Sequence, residues 1–152
     1  MKKNISVRNM LVKSADKIVK VSDSSIKEYE ENMDMLVAAL NDVMIKREDI
    51  SKLIGGENNI TMMKNNHQSH LHFVASILQI PDSETLVDTL LWVFNTFMSR
   101  GFIPDYWEVQ ISTLIQLMKK DFSEKTFFEI LNIYNWMRAN ICNFIIIEDE
   151  KK

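Results

Sequence analysis

The chain has 152 residues, 46% hydrophobic and 26% charged, with three Gly and two Pro, which describes one compact helical domain and excludes a disordered or low-complexity chain. Its net charge of −3 hides an asymmetry: residues 1–20 hold six Lys or Arg and one Asp, a net +5, and the other twelve basic and twenty acidic residues give −8. An acidic body excludes general nucleic-acid binding, which draws most of its affinity from an electropositive surface.

The first segment, MKKNISVRNMLVKSADKIVK, is expected to be a basic arm or short helix, poorly packed, because its apolar stripe is narrow. It lacks the apolar core and cleavage site of a signal peptide, and no run in the chain approaches the ~18 apolar residues of a membrane span. Residues 21–148 are expected to form a single α-helical domain, followed by a charged tail at 149–152. The lone Cys142 has no partner for a disulfide, so the expected setting is a reducing cytoplasm and the expected role is a packed thiol.

Within the domain, SDSSIKEYEENMDMLVAALNDVMIK opens on capping Ser and Asp residues and repeats Ile26, Tyr29, Met33, Leu36, Val37, Leu40, Val43 and Met44 at helical spacing. REDISKLIGG predicts a short helix capped by Asp49 and stopped by Gly55 and Gly56. A third helix carries the histidines. The next runs from Asp82 or Ser83 to Gly101, another starts near Pro104 and ends at Lys119 and Lys120, and a last opens on Ser123 and continues through Ile147. The expected fold is therefore all-α: a compact bundle of four long helices plus short ones.

All three histidines fall within KNNHQSHLHFVASIL, residues 64–78. At ~100° per residue, His67 and His70 share the arc of Ile60, Met63, Leu71, Val74, Ile77 and Leu78, and His72 lies opposite. Two imidazoles facing a core need partners for both ring nitrogens. They are either hydrogen-bonded core residues or the lining of an internal pocket, with His70 or His67 the axial ligand if that pocket holds haem. Gln110 and Arg138 interrupt apolar stripes in the same way and are further pocket candidates; the Arg138 stem alternatively snorkels to the rim. Trp92 and Trp136 project onto polar helix faces. That marks them either as interface anchors, most simply of a homodimer, or as residues covered by another element such as the N-terminal segment.

No GxSxG, Walker, GxGxxG or HExxH motif is present, and no Glu stands three residues before a histidine as di-iron bundles require. Cys142 has no charged activator beside it in sequence. A catalytic role is not expected, nor is a metal site.

The run HLHFVASILQIPDSETLVDTLLWVFNTFMSRGFIP, residues 70–104, resembles the helical sensory module that precedes cobalamin-binding domains in some bacterial regulators. The resemblance is carried by His70 and Leu71, by Leu86, Val87, Asp88, Leu90 and Trp92, and by Arg100, Gly101 and Pro104, with IYNWMRANICNFI similar to that module's last helix. It implies a globin-like sensor of bacterial signalling that works by dimerisation and partner binding. The expected function is thus a non-catalytic regulatory or sensory protein-protein interaction module without cofactor; the rival is a haem or other tetrapyrrole-binding sensor.

Overall fold

A computed structural model describes the backbone of residues 2–150 and the side chains of residues 7–145. Every element in it is helical: α1 (Lys2–Ala15), α2 (Asp23–Ile45), α3 (Ile50–Ile54), a 3₁₀ turn (Glu57–Asn59), α4 (Ile60–Gln79), α5 (Ser83–Ser99), α6 (Pro104–Asp121), α7 (Glu124–Ala139) and α8 (Ile141–Glu150). Among the described residues there is no strand, and no helix is long and apolar enough to cross a membrane. The all-α bundle expected from the pattern is what forms.

The starts follow local chemistry. The Asp82 carboxylate accepts the Thr85 N–H at 3.0 Å at the head of α5, Pro104 occupies the first turn of α6, and the Ser123 hydroxyl accepts the Thr126 N–H at 3.4 Å at the head of α7, each filling or removing an amide that a helix start leaves unpaired. The α3 stop at Gly55 is left-handed, with φ 81°, as an αL cap requires.

Two groups of helices build the core. The first sets α2 against α4, α6 and α7; in the second, α5 is flanked by α1 and α8, and α8 also reaches α6 and α7. Though consecutive, α4 and α5 are not a closely packed pair. The first group is tied by a reciprocal device. Glu28 on α2 accepts the Ser123 N–H (2.7 Å), the Ser123 hydroxyl (2.8 Å) and the Thr126 hydroxyl (2.7 Å) at the head of α7. Glu129 on α7 accepts the Ser22 N–H (2.7 Å), the Ser22 hydroxyl (3.0 Å) and the Ser25 hydroxyl (2.8 Å) at the head of α2. Each helix thus caps the other, with carboxylates placed where the helix dipole favours negative charge.

A second fixed point joins α3 to the corner between α5 and α6. Gly101 has φ 107° and lies against Gly55; a Cβ on Gly55 would sit 2.7 Å from the Gly101 carbonyl oxygen. Ile103 N–H donates to Leu53 O at 3.0 Å, and the Asn59 amide bridges Ile54 O and Arg100 O at 2.8 and 2.9 Å. Only glycines allow this approach.

Four expectations are corrected. The basic segment is not loosely attached: Leu11 and Ala15 of α1 are buried, and Arg8 forms a two-pronged pair with Asp88 of α5 at 2.8 and 2.9 Å. The helix from Ser123 does not run on to Ile147. It breaks at Asn140, whose side-chain amide donates to Trp136 O at 2.8 Å and whose carbonyl accepts the Asn143 N–H at 2.9 Å, a local competition that diverts the helical ladder. The break turns Cys142 outward, so the expected packed thiol is exposed. Helix α8 also runs into the expected charged tail, reaching Glu150, while Lys151 and Lys152 lie outside the described residues.

Candidate functional site: a cavity between α4, α5 and α6

The helical phase of α4 places its histidines as expected: His67 is fully buried, His70 half-buried and His72 exposed. His67 Nδ1 lies 2.6 Å from the Asn41 amide oxygen. That oxygen only accepts, so Nδ1 carries the hydrogen and Nε2 presents a lone pair. Nε2 is buried without a partner among the described residues. Burial, with a smaller contribution from neighbouring His70, lowers the His67 pKa to about 3, and burial alone lowers that of His70 to about 4. Both are neutral imidazoles at pH 7.

His70 ends a chain of hydroxyls. Tyr29 Oη donates to Leu71 O at 3.1 Å, lies 3.0 Å from Tyr134 Oη, and Tyr134 Oη lies 3.2 Å from His70 Nε2. Burial pushes both phenols above their usual range, so each keeps its single hydrogen. All three contacts are made only if Tyr134 donates to Tyr29 and His70 Nε2–H donates to Tyr134. The tautomer of His70 follows, and its Nδ1 is the acceptor.

Where α4 and α5 stand apart, a cavity of ≈ 180 Å³ opens. Its α4 wall is Asn66, Ser69, His70 and Phe73, its α6 wall Trp107, Gln110 and Ile111, and Trp92 of α5 lies at its margin, 64% exposed. Inside, the Phe94 ring stacks on Trp107 at 4.4 Å and meets Phe144 at 5.1 Å. Asn66, Tyr106 and Gln110 form a buried triangle in which the Asn66 carbonyl accepts from the Tyr106 hydroxyl (3.0 Å) and the Gln110 amide (2.8 Å), which also donates to Tyr106 (3.0 Å). The Trp107 Nε1–H has no acceptor among the described residues, although the side chain is only 3% exposed. A buried donor in that state costs about 1–3 kcal/mol.

The structure thus brings two of the four expected pocket residues, His70 and Gln110, to one cavity. His67 packs beside it, its ring parallel to Tyr106 at 6.3 Å, but is not part of the wall. Arg138 is corrected: it is exposed, donates to Asn135 at 3.2 Å, and borders a separate shallow groove of α6 and α7. Its long stem carries the charge to water, as snorkelling allows. Trp136 is likewise corrected as an interface residue, being buried at 9% exposure beneath α1 with its Nε1–H donating to Ser14 Oγ at 2.9 Å. Trp107 and Asn66 were not singled out in the sequence. The Trp107, Ile111, Leu114 and Met118 spacing was the signal.

A tetrapyrrole does not fit this arrangement. Sites for drug-sized ligands run roughly 300–1,000 Å³ and a macrocycle is larger still, against ≈ 180 Å³ here. His70 Nε2 is engaged by Tyr134, and the unpaired Nε2 of His67 is buried and does not belong to the cavity wall. No cluster of metal-ligating side chains occurs among the described residues. Comparison with known protein families, curated proteins and solved structures finds no match to this chain.

Proposed function

We propose that the protein is a non-catalytic regulatory or sensory interaction module of the bacterial cytoplasm, acting as a homodimer through the α5 face around Trp92. The observation that carries this reading is the contrast between two tryptophans on polar faces. α1 covers Trp136 and leaves Trp92 64% exposed beside the cavity mouth. An indole offers roughly 150–250 Å² of largely apolar surface, and a two-fold contact would set the same patch against itself. The similarity of residues 70–104 to bacterial sensory modules supports the same reading.

Sedimentation across a concentration series tests it. The expected result is a dimer that Trp92→Ala converts to a monomer with unchanged helical content, while His72→Ala, on an exposed face of α4, has no effect. A monomer at ~100 μM, well above the Kd of a typical specific interface, sinks the homodimer.

A further inference from the structure

The hydrogen bonds around the cavity leave three polar atoms of its wall unused. Asn66 Oδ1 accepts from Tyr106 and Gln110, and Gln110 Nε2 donates to Asn66 and Tyr106. Among the described residues, the Asn66 Nδ2 hydrogens and the Gln110 Oε1 lone pairs therefore have no partner. His70, one turn beyond Asn66 on the same wall, gives its Nε2–H to Tyr134 and is left with Nδ1 as an acceptor. The Trp107 Nε1 and His67 Nε2 atoms are sealed from any open space, and these three are not. Yet Asn66 is only 6% exposed and Gln110 1%, so the little surface their free ends keep opens into the cavity that both residues line. The two amides are joined at 2.8 Å, which holds those free ends close together. The rest of the wall is mainly apolar, with Phe73, Leu90, Val93, Ile111 and Met137. Among the described residues no charged side chain lines it, so an ionised ligand would lose its water without gaining a counter-charge. The volume of ≈ 180 Å³ slightly exceeds the ~150 Å³ at which an apolar cavity in another protein takes up a benzene ring.

We infer that this cavity binds a neutral, mainly apolar molecule of about the bulk of one six-membered ring, with a hydroxyl or primary-amide head that accepts from Asn66 Nδ2–H and donates to His70 Nδ1 or Gln110 Oε1. Burial of the apolar body drives entry. The head supplies selection, because a site holding unpaired donors and acceptors discriminates against the analogue that cannot satisfy them. The chain from Leu71 O through Tyr29 and Tyr134 acts on this site from behind, since its hydrogens fix the tautomer that makes His70 Nδ1 an acceptor. Entry is beside Trp92, with Ser69 and Phe73 of α4 on the facing side.

The probes are phenol, benzamide, toluene (close to phenol in size, without the head) and benzoate (charged at pH 7.5), titrated into ¹⁵N-labelled protein. Phenol and benzamide are expected to bind saturably, moving the Asn66 side-chain amide resonances downfield and the His70 Nδ1 resonance upfield. Toluene should bind about tenfold more weakly than phenol, the effect of one hydrogen bond and the reverse of the order that a purely apolar cavity would give. Benzoate should not bind. His70→Phe, which keeps a ring and removes Nδ1, should bring phenol and toluene close to equal affinity, and Leu90→Phe, which fills the space, should abolish binding of both. The inference is overturned if neither phenol nor benzamide saturates, as when ordered water holds the three groups, or if toluene binds the unaltered protein as tightly as phenol. Saturable binding that leaves the Asn66 and His70 resonances unmoved overturns it equally. Should either variant fail to fold, the phenol-to-toluene ratio in the unaltered protein still decides. Affinity is read apart from oligomeric state, so a monomer that binds phenol keeps the site and loses the dimer, and a dimer that binds neither phenol nor benzamide does the reverse.

Discussion

The junction of α2 with α7 and the cavity beside α4 and α6 belong to one core and obey opposite rules. At the junction, Glu28 and Glu129 between them satisfy both helix starts and the hydroxyls around them. Beside the cavity, the Trp107 donor has no partner among the described residues, and nearby the His67 acceptor has none either. Protein interiors pair nearly all their buried polar groups, so unpaired ones gathered in one part of a core otherwise well bonded mark where stability has been forgone. The difference teaches that one part of the core is fully bonded while another leaves polar groups unmatched among the described residues.

The strongest way to break this comparison is to remove the junction carboxylates. Hydrogen bonds to charged groups contribute roughly 1.5–3 kcal/mol each; both glutamates are half-buried and water takes over part of their bonding, so with a net loss of about one such bond per glutamate, Glu28→Ala with Glu129→Ala should lower stability by about 3–6 kcal/mol in urea unfolding. A loss below ~1 kcal/mol would mean that water replaces both caps freely.

Acid tests both regions in order. His67 and His70 are lowered to about 3 and about 4 from an unfolded value of ~6.5. The unfolded chain therefore binds protons that the folded one refuses as pH falls below ~6.5, and stability drops by up to ~1.4 kcal/mol per pH unit for each histidine. At lower pH the glutamates follow. Burial opposes ionisation of Glu28, but bonds from Ser123 and Thr126 outweigh it, and the Ser22 N–H leads in holding Glu129 low. Their contribution is present above the unfolded value of ~4.3 and is lost as pH falls through their depressed folded values. Urea midpoints from pH 7.5 to 3.5 should show two successive declines, and His67→Gln with His70→Gln should flatten the first.

The smallest effects sharpen the contrast most. Tyr134→Phe strands the His70 Nε2–H and should cost about 1–3 kcal/mol, whereas Trp107→Phe removes the penalty of an unpaired donor and loses indole packing of similar size, so stability should change by less than ~1 kcal/mol. Equal losses in thermal unfolding would contradict the assignment of Trp107 Nε1–H as unpaired.

Helix starts were legible because they rest on local chemistry: Asp82, Pro104 and Ser123 act within one turn of themselves. The α4 histidines were legible because phase alone separates His67 from His72. The break at Asn140 was harder, since apolar spacing continues across it into Ile141 and Phe144, both buried. The fates of Trp92 and Trp136 could not be separated from sequence. They depend on α1, whose Ser14 reaches one indole and whose Arg8 takes Asp88 one turn before the other. Arg138 shows the limit of a projected arc, which assigns a direction to Cα and none to the end of a long side chain.

The close approach of Gly55 and Gly101 bears on how relatives of this chain would be recognised. A Cβ at residue 55 would strike the backbone of residue 101, so neither the α3 stop nor the α5–α6 corner can gain a side chain without the other moving. Divergence can exchange Leu for Ile or Met along every helix and erase the apolar runs as a signature. It cannot so easily separate these two glycines, together with the Asn59 that bridges Ile54 and Arg100. A pattern of Gly, then Asn four residues on, then a distant Arg-Gly-x-x-Pro corner would carry the ancestry of this fold further than its hydrophobic sequence does.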